Sequence, residues 1–382
     1  MGIIVGLPQT GGAEKELQLH FGQVLHQQEE VRAPFLPAEW YPQSGVQLTW
    51  PHPATDWRDM LEEVEVCFTA IARQIACREQ LLIVTPEPER VAARIAPVVR
   101  MENVTFFRCD TNDTWARDHG AMTLMDTDGP SLLDFTFNGW GLKFASDRDN
   151  RITRRAFEAG QLQGRYVNRL GFVLEGGSVE SDGLGTLLTT SECLLSANRN
   201  GEMNQAEIET YLRSVFHLQR VLWLDHGYLA GDDTDSHIDT LARFCSPDTI
   251  AYVQCTDPED EHYESLVRME KQLREFRTLE GKPYRLLALP MADAIREEGE
   301  RLPATYANFL ILNGAVLYPT YRQPHNDRKA EAVLQEAFPD REIIGIDSCP
   351  LIRQHGSLHC ITMQYPRGVI PALPGSEDPY IR

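Results

Sequence analysis

Gln354-His355-Gly356-Ser357-Leu358-His359-Cys360-Ile361-Thr362 sets a cysteine between a glycine-containing turn and a β-rich run. A cysteine met alone is by default a small buried hydrophobe. Here Gly356, Ser357 and His359 form a loop entering a strand, and that context makes Cys360 a candidate nucleophile. Cys349, followed by Pro350, and Cys109 lack such surroundings and read as core or surface thiols. Working outward, three more segments cluster polar residues where a core would be apolar. They are Asn112-Asp113-Thr114-Trp115-Ala116-Arg117-Asp118-His119-Gly120, Leu174-Glu175-Gly176-Gly177-Ser178 and Gly231-Asp232-Asp233-Thr234-Asp235-Ser236-His237-Ile238-Asp239. Each closes a strand-like run, and loops at strand ends are where sites are assembled.

The residue types in these segments suit one chemistry. A guanidinium is planar, cationic and presents N–H donors in a fixed fork that carboxylates match bidentately. Its carbon is a poor electrophile, so a thiolate is the fitting nucleophile at neutral pH. A histidine can protonate departing ammonia and then activate water, and a carboxylate beside it fixes its tautomer. Cys360, His237, Asp118, Asp239 and Glu175 supply these groups.

His237 alone is a satisfied loop histidine, but its acidic neighbours Asp232, Asp233, Asp235 and Asp239 favour function. That run lacks the spacing of a calcium loop, so those aspartates otherwise cap a turn. Asp118 beside Arg117 could be a surface ion pair, and Glu175 could merely end a strand. Trp115 and Trp140 are as readily core aromatics as cation-stacking walls. His119, His355 and His359 default to buried hydrogen-bonded roles.

The chain has 382 residues, 42% of them hydrophobic, which suits a globular protein. The net charge of -20 argues against a nucleic-acid partner. No apolar run is long enough for a membrane helix, and the N-terminus is a poor signal peptide, so a cytoplasmic location is expected. Leu7-Pro8-Gln9-Thr10-Gly11 resembles a cell-wall sorting signal but stands at the wrong end of the chain and reads as a loop. The eight cysteines form no CxxC pair, and no cluster has metal-ligand spacing, so neither a metal nor another cofactor is expected.

Helical and strand-like segments alternate. Apolar spacing predicts helices over 56–78, 88–100, 204–216, 260–279 and 327–338. Short β-rich runs fall at 81–84, 104–107, 172–175, 221–224, 252–254, 309–312, 343–346 and 358–363. Several of these alternate, which suits half-buried strands rather than a doubly wound parallel sheet. No Gly-rich nucleotide loop follows a strand. The pattern is one α/β (α+β) domain whose length allows about five strand-plus-helix units, with no repeated sequence motif.

Taken in order, the motifs resemble those of the agmatine deiminases and bacterial peptidyl-arginine deiminases, within the guanidine-modifying pentein superfamily. Pro37-Ala38-Glu39-Trp40, Trp50-Pro51-His52-Pro53 and Asp56-Trp57 look like the family's opening block. Trp115-Ala116-Arg117-Asp118 is similar to its W-x-R-D motif, and Phe137-Asn138-Gly139-Trp140-Gly141 with Lys143 to its F-N-x-W-G-x-K segment. Leu174-Glu175-Gly176-Gly177, His237-Ile238-Asp239 and His359-Cys360-Ile361-Thr362 match its E-G-G, H-x-D and nucleophile-loop motifs. The resemblance implies Cys360 as nucleophile, His237 as acid/base, Glu175 touching that histidine, and Asp118 and Asp239 as the guanidinium ligands. Trp115 and Gly356 are carried as substrate-binding residues.

The resemblance further implies a five-bladed ββαβ propeller over residues 36–370. Residues 1–35 form an N-terminal segment without an assigned role, and 371–382 a C-terminal tail. The expected substrate is a small cationic guanidino compound, agmatine first and arginine or peptidyl-arginine second. A non-catalytic binding protein of the same fold ranks third, and self-association into a homo-oligomer is left open. One departure stands out. The glycine-rich run before the nucleophile is here Gln354-His355-Gly356-Ser357, which keeps the chemistry and puts the substrate tail in question.

Overall fold

Five small sheets repeat one connection. In each, an antiparallel pair is followed by a helix that returns the chain as a third, parallel strand. A computed structural model describes residues 34–373. Met122–Asp126 pairs antiparallel with Gly129–Thr136, and after helix Ile152–Glu158 the strand Arg165–Val173 joins in parallel. The same sequence of pairings links Val179–Ser181, Thr186–Thr190 and Arg220–Leu224 around helix Gln205–Phe216. It links Ala242–Ser246, Thr249–Gln254 and Arg285–Pro290 around Tyr263–Glu275. Leu310–Leu312, Ala315–Thr320 and Glu342–Asp347 follow suit around Pro324–Ala337. The fifth unit is closed by the two ends of the fold. Thr362–Pro366 pairs antiparallel with Gln43–Thr49, which is parallel to Gln80–Thr85 across helix Leu61–Ala76. This is the five-unit ββαβ arrangement that the resemblance implied.

Each crossover helix buries one stripe. Val64, Phe68, Ile71 and Ile75 of Leu61–Ala76 recur at helical spacing and are fully enclosed. Gln205–Phe216 starts at a capping box in which Asn204 and Glu207 satisfy each other's backbone N–H.

Several boundaries differ from expectation. The helix expected over 88–100 stops at Ile95, and that over 260–279 spans only Tyr263–Glu275. The helix expected from 327 begins at Pro324, because proline suits the first turn. The strand expected at 172–175 is Arg165–Val173. Its exposed polar residues hide the hydrophobic signal, and Glu175 has already left the sheet. The run at 358–363 is strand only from Thr362. Cys360 stands in the turn before it, because Asn308 takes up the backbone N–H of both His359 and Cys360. Gln80–Thr85, expected at 81–84, is buried along its whole length, and so is Thr186–Thr190, a strand absent from the expected runs.

No helix among the described residues is long and apolar enough to cross a membrane. The sorting-signal-like pentapeptide, the N-terminal segment up to residue 33 and the tail beyond 373 lie outside the described residues.

Candidate active site

The four polar segments converge. Asp118 sits in the short helix Ala116–His119, whose Arg117 N–H donates to the Cys360 carbonyl at 3.1 Å. That bond ties the two motif-bearing segments together. Gly177 N–H donates to Asp118 Oδ1 at 3.0 Å, and Trp140 Nε1 donates to Oδ2 at 2.9 Å. Trp140 reaches this position from an unusual turn. Gly139, Trp140, Gly141 and Leu142 all have positive φ, a left-handed conformation that costs about 1–2 kcal/mol for each non-glycine residue. Such strain persists where its surroundings enforce it, commonly at functional sites.

Gly177 marks how tightly the groups are packed. A Cβ on it would lie 2.6 Å from His237 Nδ1, 3.0 Å from Asp118 Oδ1 and 3.2 Å from Asp239 Oδ2. Only glycine leaves room for these three groups to meet. His237 Nδ1 is 3.7 Å from Asp118 Oδ1, and its Nε2 is buried without a hydrogen-bond partner among the described residues. Asp239 Oδ2 lies in hydrogen-bond contact with His359 Nδ1 at 2.7 Å, whereas Oδ1 has no hydrogen-bond partner among the described residues. Cys360 Sγ lies 3.4 Å from Asn308 Oδ1.

Asp118 and Cys360 open onto a cleft of about 810 Å³ that Trp115, Trp140 and Gly356 help to line, whereas His237, Asp239 and Glu175 are not among its lining residues. Gly356 lies flat on the Trp115 ring, where a Cβ would come within 2.0 Å of the indole. Asp113 fixes that indole and the Trp57 indole by accepting from both. Gln354 and His355 line the mouth, anchored by Gln354 Nε2 on the Asp56 carbonyl and His355 Nδ1 on the Gly231 carbonyl.

Burial dominates the electrostatics. It pushes Asp118 up to about 7, partly offset by the Trp140 hydrogen bond. Burial, and then the Asp118 charge, push Asp239 well above the usual carboxylate range. Burial and then the Asp239 and Asp118 charges hold the Cys360 thiol high. Burial, and then Arg199, push His237 well below its ordinary value. Desolvation disfavours each charged form, so without a cation the site favours neutral groups.

Glu175 departs from the expected pairing. Both its oxygens accept from Arg199 Nε, at 2.9 and 3.0 Å, and no hydrogen bond joins it to His237. A Glu175 oxygen lies within 4.8 Å of a His237 ring nitrogen, with Cys193 Sγ equally near. That trio has the donor types for a metal ion. Its carboxylate is already neutralised by a buried guanidinium, which a divalent cation would have to face at close range. Asp232 caps its own turn, accepting from Thr234 and Ser236.

Three functional candidates escaped the sequence. Arg199 stands in Ser196-Ala197-Asn198-Arg199-Asn200, which carries no motif, and Asn308 ends a tyrosine-alanine run. Behind Asp239, His359 bridges to Glu39, and Glu39 and Glu180 both pair with the fully buried Arg243. A wholly enclosed arginine needs carboxylates around it, but nothing local in the sequence marks it as enclosed.

Residues 35–366 match the family model for the Porphyromonas-type peptidyl-arginine deiminases. A solved structure of a candidate arginine deiminase from Porphyromonas gingivalis is 54% identical, with a TM-score of 0.84 over 88% of this chain and 99% of that one. The C. jejuni agmatine deiminase, solved as a cysteine-to-serine variant with substrate bound, is 39% identical. Its TM-score is 0.80 over 87% of this chain and 96% of that one. The agmatine deiminase of Stutzerimonas stutzeri strain A1501 is 32% identical over 359 residues, covering 87% of this chain and 95% of that enzyme. The chain therefore belongs to the Porphyromonas-type peptidyl-arginine deiminase family, hydrolases acting on the C–N bonds of linear amidines.

Proposed function

We propose that the protein hydrolyses agmatine to N-carbamoylputrescine and ammonia, with Cys360 as nucleophile, His237 as acid/base and Asp118 and Asp239 as the guanidinium clamp. One observation carries the reading. Asp118, His237 and Asp239 surround the Gly177 backbone, and Asp118 and Cys360 line one cleft. Asp239 Oδ1 can take a substrate N–H, and the Asp118 oxygens have lone pairs beyond those given to Trp140 and Gly177.

The charge balance explains why a cation starts the reaction. A guanidinium entering between Asp118 and Asp239 brings the positive charge that lets both carboxylates ionise and lowers the cost of a thiolate. Cys360 gives its proton to His237 and its sulfur bonds to the guanidinium carbon. The C–N bond breaks, and ammonia leaves with the His237 proton, giving an S-alkylthiouronium. His237 then takes a proton from water, whose oxygen attacks the same carbon. The C–S bond breaks with its electron pair passing to sulfur, which takes the proton back from His237, and the ureido product departs after giving its extra proton to water or ammonia. Glu175 acts behind His237 rather than on the substrate.

The cleft favours agmatine's tail over arginine's. Beyond Asp118, five aspartates line it, Asp56, Asp113, Asp149, Asp232 and Asp233, against the cations Lys143 and Arg148. Lys143 is further committed to Asp235 and the Asp233 carbonyl. Burial pushes Asp113 up to about 8 and Asp149 up to about 7, so these carboxyls ionise as a cation arrives, which favours an ammonium over a carboxylate in the mouth. Ammonia release from agmatine, arginine and an arginyl peptide, measured side by side as kcat/KM, tests this. Agmatine should lead; equality with either rival retires the agmatine assignment. Cys360→Ser with near-wild-type turnover would retire the nucleophile.

A further inference from the structure

The acid/base histidine is held in an unusual way. No side-chain hydrogen bond within 3.5 Å orients its imidazole among the described residues. Its place is set by the loop that carries it, and that loop is strained. Asp235 and Ser236, immediately before His237, both have positive φ, at 64° and 62°. Two adjacent non-glycine residues in this region stay there only if neighbours hold them.

Asp232 caps the turn from within, Lys143 donates to Asp235 and the Asp233 carbonyl, and Thr190 donates to the Ser236 carbonyl; one further side chain ties the turn to the Glu175 loop. Arg199, its side chain fully buried, uses all three guanidinium nitrogens. Nη1 donates to Asp235 Oδ2 at 2.6 Å, Nη2 to the Thr234 carbonyl at 2.8 Å, and Nε to both Glu175 oxygens. The Thr234 hydroxyl in turn accepts from His237 N–H at 3.1 Å. Arg199 thus joins the Glu175 loop to the His237 loop.

We propose that Arg199 is a positioning residue for His237, clamping the strained 234–236 turn and withholding the Glu175 carboxylate from the imidazole. This rests on the deiminase reading of the site. The charged and titratable groups around the imidazole are Asp118 on its short helix, Glu175, and Cys193 on the helix Ser191–Leu194. The charges of Arg199 and Lys143 act on it too, and Asp239 of its own loop meets it across Gly177, while Asp235 is paired with Arg199 and Lys143. Among these, the pairing of Glu175 with Arg199 decides whether the ring faces a bare carboxylate. Without Arg199, a buried Glu175 would find its nearest cation in a protonated His237, and the ring would bind a proton more readily.

The test reads the ring directly. The His237 imidazole resonance, identified by its loss in His237→Asn, is titrated by NMR in wild type, Arg199→Met and the double variant Arg199→Met/Glu175→Gln. Arg199→Met should titrate at least about one pH unit higher than wild type, and kcat should fall about a hundred-fold. The double variant removes both charges together and should return the titration towards wild type. A folded Arg199→Met with an unmoved titration overturns the proposal.

If Arg199→Met does not fold, Arg199→Lys decides. One ammonium cannot hold Glu175, Asp235 and Thr234 together, so kcat should drop at least about ten-fold with KM little changed. A lysine variant with wild-type kcat overturns the proposal. The titration needs no substrate. Absence of ammonia release by the wild-type protein therefore counts against the deiminase reading, and an unmoved titration counts against Arg199.

Discussion

Replacing Gly177 by alanine should disable the site while leaving the fold intact. Gly177 is not among the positive-φ residues, so alanine brings no backbone strain and adds only a methyl group. That methyl would lie 2.6 Å from His237 Nδ1 and 3.0 Å from Asp118 Oδ1. Ordinary contact begins near 3.4 Å, so the imidazole must retreat by about 0.8 Å. The ring is enclosed, and a densely packed interior resists such a shift at roughly 1–3 kcal/mol. The larger effect is on chemistry. A displacement of about 1 Å can cost 10²-fold, equivalent to about 2.7 kcal/mol of barrier. The assay is steady-state ammonia release together with thermal unfolding. Activity should fall about a hundred-fold with Tm lowered by at most a few degrees. Gly171→Ala is the control, because a Cβ there meets nothing within 4 Å, and it should behave as wild type. Turnover of Gly177→Ala within about three-fold of wild type would refute the placement of His237 and Asp118 around this glycine.

Asp118→Asn should cost about 3–5 kcal/mol in kcat/KM. The amide leaves the cation with Asp239 alone and turns an NH₂ towards either Trp140 Nε1 or Gly177 N–H; activity within a few-fold of wild type would exclude the clamp. Asp239→Asn should behave similarly, because its single amide oxygen cannot serve both His359 Nδ1 and a substrate N–H. A pH dependence follows from Asp118, whose folded value is raised to about 7 from 3.8. A raised carboxyl stabilises the ligand-free fold least when ionised, so that stability declines as pH rises from about 4 to about 7. A cationic ligand needs the ionised form, so its affinity should rise across that window and level off above it. Titration of agmatine into Cys360→Ser by calorimetry reads this, and a flat affinity between about pH 5 and 7 would contradict it. Dialysis against EDTA should leave turnover unchanged, and a loss restored by calcium would reopen the acidic run around Asp232.

Much of the site was legible because its chemistry is written in short runs. A nucleophile, an acid/base and carboxylates for a planar cation are residue types, and the loops at 118, 175, 237–239 and 360 display them at strand ends. The crossover helix Leu61–Ala76 was legible for the same local reason, an apolar stripe at helical spacing. The strand Arg165–Val173 was not, since its exposed polar face left no apolar alternation to read. The start of the strand after Cys360 was misplaced because the Asn308 side chain accepts from the His359 and Cys360 N–H, holding them in a turn that Thr362 closes on the His359 carbonyl.

What the sequence determined by itself was therefore the set of candidate reactive groups, their order and the propensities of individual elements, all properties of residues close along the chain. Ring closure was decided elsewhere, through the pairing of Gln43–Thr49 with Thr362–Pro366 from the far end of the fold. So was the capture of Glu175 by Arg199, 24 residues away, in place of a bond to His237. The protonation preferences of Asp118, His237, Asp239 and Cys360 belong to the tertiary structure as well, because desolvation depends on which distant segments cover a group. Residue type sets the chemistry a side chain can perform; the water-excluding packing around it sets the charge it carries when substrate arrives.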